Sequence, residues 1–310
     1  MRHDSATRRF TSYGSGVGSV RSDDPELARR LVLHEARAQQ APTRDLRDLG
    51  DAWLLHDTND AEPFWNRVIA PRWPTEPAAF DRRIDEVITL FATIDRLPHV
   101  RPLPLGGEPP DLPRRLQSAG FEWLGADRRM VLAEPERAPD RLAAAESRVA
   151  AAFGQEHVTV TRHGSDATPA GERQRWSERR RWAREASLVL EDAFGVDPGR
   201  RVALENDVLA CATRPGCSIL LVRVDDEPAA IARRAATGDG SYLSSIGTRP
   251  AFRRRGLGSL ATALLVWDAL EVASPVVHLS VEVDNDAGRR LYESLGFAVI
   301  GEPAPDLLLR

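Results

Sequence analysis

Cysteine is scarce: the 310 residues contain two, Cys211 and Cys217. Two thiols are too few for a disulfide framework or a zinc site, and no other metal-ligand pattern stands out. They read as small buried thiols in a reducing, cytoplasmic setting. Excess positive charge is missing too. The formal net charge is −4, so no overall basic field draws the chain to nucleic acid or to a membrane surface. No apolar run approaches the roughly 20 residues that a membrane span needs. The start, Met1-Arg2-His3-Asp4, lacks the apolar core of a signal peptide. One basic turn carries glycines, but no Gly-Lys-Ser/Thr follows it, which excludes a nucleotide P-loop.

What is present is the material of a globular α/β protein. The hydrophobic fraction is 42% and the charged fraction 28%, enough for ordinary cores, and the length fits one or two domains. Residues 1 to about 22 are polar and read as a loose tail. Asp24-Pro25-Glu26 opens a first helix with an N-cap and a proline at its first position. Ala52 to His56 and Phe64 to Ile69 read as strands, and Phe80, Ile84, Val87, Ile88, Phe91 and Ile94 recur at helical spacing over 78–96. A strand near Val100, a helix over 111–119 and a further strand from Phe121 complete a first cycle. Residues 134–157 form an alanine-rich connecting helix. A second cycle starts at Val158: a strand to Arg162, a long helix within 169–194 and a shorter one over 200–212. A hairpin follows, with strands 219–224 and 228–235 about Asp225-Asp226-Glu227, then a strand over 241–248. It closes with a helix over 260–270, a strand over 276–283, a helix over 286–295 and strands from Phe297. Ser118-Ala119-Gly120-Phe121 and Ser294-Leu295-Gly296-Phe297 end the two cycles at the same offset, which suggests duplication. The expected organisation is a tail (1–22), a first unit (23–133), a linker (134–157) and a second unit (158–310), each unit a mostly antiparallel mixed sheet flanked by helices.

Chemistry concentrates between the strand over 241–248 and the helix after it. Arg253-Arg254-Arg255-Gly256-Leu257-Gly258-Ser259 joins them. Strand, glycine-bearing basic turn and helix N-terminus together make an anion cradle: glycine admits tight backbone geometry, successive N–H groups converge, and the helix dipole adds positive potential. A diphosphate-bearing ligand is the expectation.

This second half resembles the GCN5-related N-acetyltransferase (GNAT) superfamily. Arg253, Gly256 and Gly258 match its Arg/Gln-x-x-Gly-x-Gly/Ala signature, and Asn285, Tyr292, Gly296 and Phe297 match a second. The match covers roughly residues 158–303. The first half resembles a degenerate copy, in an architecture similar to that of mycothiol synthase. The resemblance implies acetyl-coenzyme A as donor, with its pyrophosphate on the amides of Arg253, Arg254, Arg255, Gly256, Leu257, Gly258 and Ser259. It implies that the pantetheine arm pairs with Ile246, Gly247 and Thr248, where that strand splays from the next. It also implies that Asn285 contacts the pantetheine, and that Tyr292 protonates the leaving thiolate. Helix capping by Asn285 and simple packing by Tyr292 are the alternatives. Attack of an amine on a thioester passes through an oxyanion that positioned N–H donors stabilise, and the departing thiolate needs a proton.

The general base is not evident. The strand before the cradle carries no carboxylate, and Glu282 on the following strand reads as an inert surface residue. Gly288, where the family often has alanine, suggests a close backbone approach, to the cofactor for example. In the first half the matching loop, Pro71-Arg72-Trp73-Pro74-Thr75-Glu76-Pro77, contains three prolines and no glycine, and Leu116 stands where Tyr292 does. Prolines donate no N–H, so residues 1–133 are expected to bind no coenzyme and to act as scaffold or acceptor-site wall. The helix within 169–194 carries Arg173, Arg175, Arg179, Arg180, Arg181 and Arg184 among Glu172, Glu178, Glu185 and Glu191. It reads as a salt-bridged solvated face, with Trp182 and Leu188 inward. The expected activity is acetyl transfer to a primary amine of a small molecule by direct attack, in a monomer or weak homodimer. The alternatives are acetylation of a protein N-terminus or lysine, and a non-catalytic acetyl-coenzyme A sensor.

Overall fold

The computed structural model describes residues 24–164 and 172–310. The expected tail and the side chains of Glu172, Arg173, Arg175 and Trp176 lie outside the described residues. Eleven strands form a single sheet. The first half contributes β1 (Arg44–Asp48), β2 (Trp53–Asp57), β3 (Arg67–Ile69), β4 (His99–Arg101) and β5 (Glu122–Leu132). The second contributes β6 (Val158–Gly164), β7 (Cys217–Val224), β8 (Glu227–Thr237), β9 (Gly240–Thr248), β10 (Val277–Glu282) and β11 (Phe297–Leu308). The order is β1-β2-β3-β4-β11-β5-β10-β9-β8-β7-β6. Each half therefore hands its last strand to the other: β5 lies between β10 and β11, and β11 between β4 and β5. Only β3–β4 and β9–β10 run parallel.

The helices are α1 (Pro25–Ala38), α2 (Pro77–Thr93), α3 (Leu112–Ser118), α4 (Ala138–Phe153), α5 (Glu172–Phe194), α6 (Arg201–Thr213), α7 (Leu257–Glu271) and α8 (Asp286–Ser294). Asp24 caps α1 as its sequence predicts, its carboxylate accepting from the amides of Glu26 and Leu27. α7 is apolar on nearly every side because it is covered twice. Leu260, Leu264 and Val266 share a core cluster with Leu243 of β9 and Leu279 of β10, and α4 packs along the same helix. α2 is amphipathic and buries Phe80, Ile84, Val87 and Phe91 over β2, β3 and β4. α5 and α6 cover the other face of β7, β8 and β9.

The ends of the two cycles match in structure: Gly120 (φ +93°) follows α3 as Gly296 (φ +87°) follows α8. Asp225 (φ +50°) and Asp226 (φ +64°) make the two-residue β7–β8 hairpin turn.

Several expectations are corrected. β1 carries no strand signal, being Arg-Asp-Leu-Arg-Asp at the sheet edge. The strand expected over 64–69 is shorter, because Pro63–Trp65 turns as a 3-10 segment. The Asn66 amide locks that turn by donating to the carbonyls of Asp60 (2.7 Å) and Glu62 (2.9 Å). Leu188 is 41% exposed. It lies about 240° round the helix from Trp182, off the buried stripe. Cys211 and Cys217 are buried as expected but joined in a disulfide. The cysteine count therefore no longer argues for a reducing compartment. No described helix is long and apolar enough to cross a membrane.

Under β10 and β5, on the face away from α7, lies an ionic cluster that hydrophobic patterning does not reveal. Glu35 of α1 receives Arg129 Nη2 (2.8 Å) and Ser280 Oγ (3.2 Å), with Arg67 Nη2 at 3.4 Å. Arg101 Nη2 donates to Asp127 (2.6 Å) and His99 Nε2 lies 2.9 Å from Asp306. Burial pushes the Glu35 carboxyl up, but Arg101, Arg129 and Arg67 outweigh it and hold it well below the usual range. Asp306, buried but beside Arg101, His99 and Arg67, is brought down to about 2.

Candidate functional site

β9 and β10 pair only from Ser241 to Leu243 and from Val277 to Leu279. Beyond that the two strands separate, leaving Ser244 to Thr248 of β9 with backbone groups on one edge unclaimed by β10. The separation is built into β9. The β8–β9 register shifts between Ile231↔Gly247 and Arg233↔Ser244, so Ser245 and Ile246 oppose the single residue Ala232. Ser245 adopts φ +52° there. A bulge of this kind bends a strand and re-aims its amides. Gly247 is required by the layer beneath: a Cβ on it would sit 2.8 Å from Ala193 Cβ and 2.9 Å from Phe194 Cε2, at the end of α5. Ile246, Gly247 and Thr248 thus stand at the open end of the slot, bordered by Phe194, which is 54% exposed.

The basic turn closes this end. Gly256 caps α7 with φ +90° and ψ −6°, and among the described residues no side chain accepts from the first-turn amides. Leu257, Gly258 and Ser259 therefore present the positive end of a 15-residue helix with no anion of the described residues capping it. The three arginines separate in role. Arg253 donates through Nε to Thr248 O (3.0 Å) and through Nη2 to Ala193 O (2.9 Å), bracing the ends of β9 and α5. Arg255 lies over Phe153 of α4, 5.2 Å from the ring centroid. Arg254 is exposed, at φ +63°. Gly258 allows close packing: a Cβ there would meet Leu291 Cδ1 at 3.3 Å. The linker helix α4 borders the turn too, with Arg148 Cδ 3.1 Å from where a Gly256 Cβ would be.

The first half offers the opposite arrangement. At the N-terminus of α2, the Glu76 carboxylate accepts from the amides of Ala78 (3.0 Å) and Ala79 (2.7 Å), and these bonds lower its pKa. That helix end carries its own anion. Leu116, the counterpart of Tyr292, is fully buried.

Asn285 caps α8, as the alternative reading had it: its Oδ1 accepts from Gly288 N at 2.8 Å. The close approach expected at Gly288 is made by this same side chain, 2.8 Å from the would-be Cβ, and not by a ligand. Tyr292 is 7% exposed and packs edge-on to Phe297 with centroids 6.2 Å apart. It belongs to the cluster that contains Leu243, Leu279 and Val281 of the slot strands. Among the described residues no hydrogen bond engages its hydroxyl. Burial pushes its phenol above the ordinary value of 10, so it keeps its proton as a general acid must.

The first half also meets α6 and the turn before it. Arg200, in the turn between α5 and α6, bonds Asp60 (2.8 Å) and Glu62 (2.9 Å). Arg44 reaches both Asp57 and Asp207 at 3.0 Å and lies 3.5 Å over the Trp65 ring. These contacts join segments distant in sequence, and no local motif marks them. Among the described residues no cluster of His, Cys, Asp and Glu is placed to hold a metal ion.

Comparison with known proteins agrees with this geometry. Residues 175–297 match the model of the acetyltransferase (GNAT) family. A 79-residue stretch is 40% identical to a [ribosomal protein bS18]-alanine N-acetyltransferase of Salmonella typhimurium, spanning 25% of this chain and 53% of that relative. The chain thus matches about half the length of that curated relative. A GCN5-related N-acetyltransferase from Kribbella flavida superposes with a TM-score of 0.59 at 20% identity, over 91% of this chain and 95% of the other. A tandem GNAT protein from the clavulanic acid biosynthesis pathway gives 0.52 at 13% identity, over 93% and 96%. At these identities the structural matches speak for the fold, two GNAT-like units in one sheet. Motif, slot and family match coincide on one segment: the chain carries, over residues 175–297, an acetyltransferase domain of the GNAT family.

Proposed function

We propose that the protein transfers an acetyl group from acetyl-coenzyme A to a primary amine of a small molecule, with residues 158–310 catalytic, residues 23–133 a unit without a coenzyme site, and residues 134–157 the linker between them. One contrast carries the reading. The second half leaves its helix N-terminus at Gly256 open, while the first half fills the equivalent one with Glu76. An open N-terminus beside a strand with a free edge suits a pyrophosphate followed by an extended amide-bearing arm. The amides of Arg253 to Ser259 would hold the phosphates, Ile246 to Thr248 the pantetheine, and Asn285 Nδ2 would reach the arm. A β9 amide would polarise the thioester carbonyl. The acceptor nitrogen bonds to the carbonyl carbon, the C–S bond breaks, and Tyr292 protonates the sulfur. An N-terminal peptide is the second reading, favoured by the name of the Salmonella relative. With each half pairing the other's last strand, a monomer or weak homodimer is the expected state.

Calorimetric titration with acetyl-coenzyme A tests the core of this. One site per chain is expected; two sites, or none, would sink it. Thiol release across an amine panel and an N-terminal peptide panel then separates the two acceptors.

A further inference from the structure

Resting on that reading, we infer that Glu282 is the group that takes the proton from the acceptor amine. β10 presents its residues to two environments. Val277, Leu279 and Val281 enter the core shared with α7. His278 and Ser280 face the opposite way: His278 Nε2 lies 2.6 Å from His34 Nδ1, and Ser280 Oγ donates to Glu35, both residues of α1. Alternation puts Glu282 on this second face. Helices α4, α7 and α8 pack on the first face; on the second, α1 contacts β10 at His278 and Ser280, short of the exposed Glu282, and the acceptor is assigned to that side. Glu282 also stands three residues past Leu279, the last residue of β10 paired with β9. It therefore flanks the part of the slot where the backbone edge is free. On its other side the β5 register continues and sets Asp127 directly opposite.

Its surroundings suit a base that must release as well as accept a proton. Asp127 is itself ion-paired to Arg101 at 2.6 Å, and no arginine, lysine or histidine forms an ion pair with Glu282 among the described residues. Burial and the charges of Asp127 and Asp284 push the Glu282 carboxyl up from its ordinary value. Glu35, the other carboxylate on this face, is held by Arg129, Arg67 and Arg101 beneath the sheet and cannot exchange protons with the slot. Glu282 is exposed, so its proton leaves to water after each turnover. The balance is complete: the amine N–H proton goes to Glu282 and on to water, the new C–N bond replaces C–S, the sulfur takes the Tyr292 proton, and a proton from water restores the Tyr292 phenol before the next turnover. Acid and base stand on opposite faces of the sheet.

The test compares two nucleophiles with wild type and Glu282→Gln, at neutral pH and saturating acetyl-coenzyme A. n-Butylamine is protonated there and needs a base, whereas hydroxylamine is not. The expected result is a fall of about 10²-fold in butylamine turnover with little change for hydroxylamine, the general-base contribution alone being removed. Calorimetric affinity for acetyl-coenzyme A should stay unchanged, and Glu282→Asp should recover part of the loss. Equal loss with both amines, or a variant that turns over butylamine at half the wild-type rate or better, overturns the assignment and leaves the proposed function standing. A wild-type protein that binds no acetyl-coenzyme A overturns both.

Discussion

Gly256 and Tyr292 divide the proposed chemistry between binding and turnover, and substitutions should separate them. Gly256 holds φ +90° at the cap of α7. An alanine there costs about 1–2 kcal/mol in the left-handed region and presses on Arg148 Cδ, 3.1 Å from the new Cβ. The turn would shift, and with it the amides that face the phosphates. Gly256→Ala should raise the KM for acetyl-coenzyme A and leave kcat comparatively intact. Tyr292→Phe keeps the ring against Phe297 and removes only the hydroxyl, which no described group binds. It should lower kcat by about 10²-fold with little change in that KM; equal losses in both constants would mean that Tyr292 only packs. Because burial raises the phenol above its ordinary value, Tyr292 should cause no alkaline loss of turnover up to about pH 10.

Helix α1 shows how much of one element's stability comes from outside it. Arg44, Arg214 and Arg233, none of them on α1, donate to the carbonyls of Gln39 (3.1 Å), Arg37 (3.2 Å) and Ala38 (2.9 Å) at its C-terminus, where cations complement the dipole. In its middle, Glu35 sits among Arg67, Arg101 and Arg129, all 3% exposed or less. Glu35→Ala leaves three buried guanidiniums short of a countercharge. The expected cost is about 3–5 kcal/mol, read from chemical denaturation; a loss under about 1 kcal/mol would show that the arginines find other partners. None of this was legible beforehand. α1 was visible from its Asp24-Pro25-Glu26 start, but its partners come from residues 44 to 280, and neither spacing nor alternation encodes such meetings. The slot was legible because its parts are local: a glycine turn, a helix start and a strand end within 20 residues. The orientation of Glu282 was not, since it depends on which face of β10 meets α7 and which meets α1, and α1 comes from the other half.

At the scale of the whole molecule the exchange of β5 and β11 makes the halves interdependent. Residues 158–310 alone would leave β10 and β11 without the strand between them, so that fragment should show no cooperative unfolding, whereas the full chain should. Acid sensitivity is likewise a property of the shared core. His278 is held well below its ordinary 6.5, first by burial and then by Arg129 and His34, and His34 is lowered chiefly by burial. A histidine kept neutral in the fold takes up its proton only on unfolding. The unfolded chain therefore binds more protons below pH 6.5, and stability must fall as pH drops, by up to about 1.4 kcal/mol per pH unit for each such group. Glu35 and Asp306 have the same sign. Their folded values lie below the ordinary carboxylate range, so their contribution is full above about pH 4 and is lost below it. His157, raised by Asp225 at the surface, and Glu282, raised by burial, run the other way, but both are exposed and weakly coupled to the core. Melting temperature should therefore be flat from about pH 7 to 8, decline from about pH 6.5 downward, and decline more steeply below about pH 4. His278→Gln removes one titrating core group, so it should lower the melting temperature at pH 7.5 and flatten the first decline; an unchanged slope between pH 6.5 and 5 would show that the buried pair does not set it.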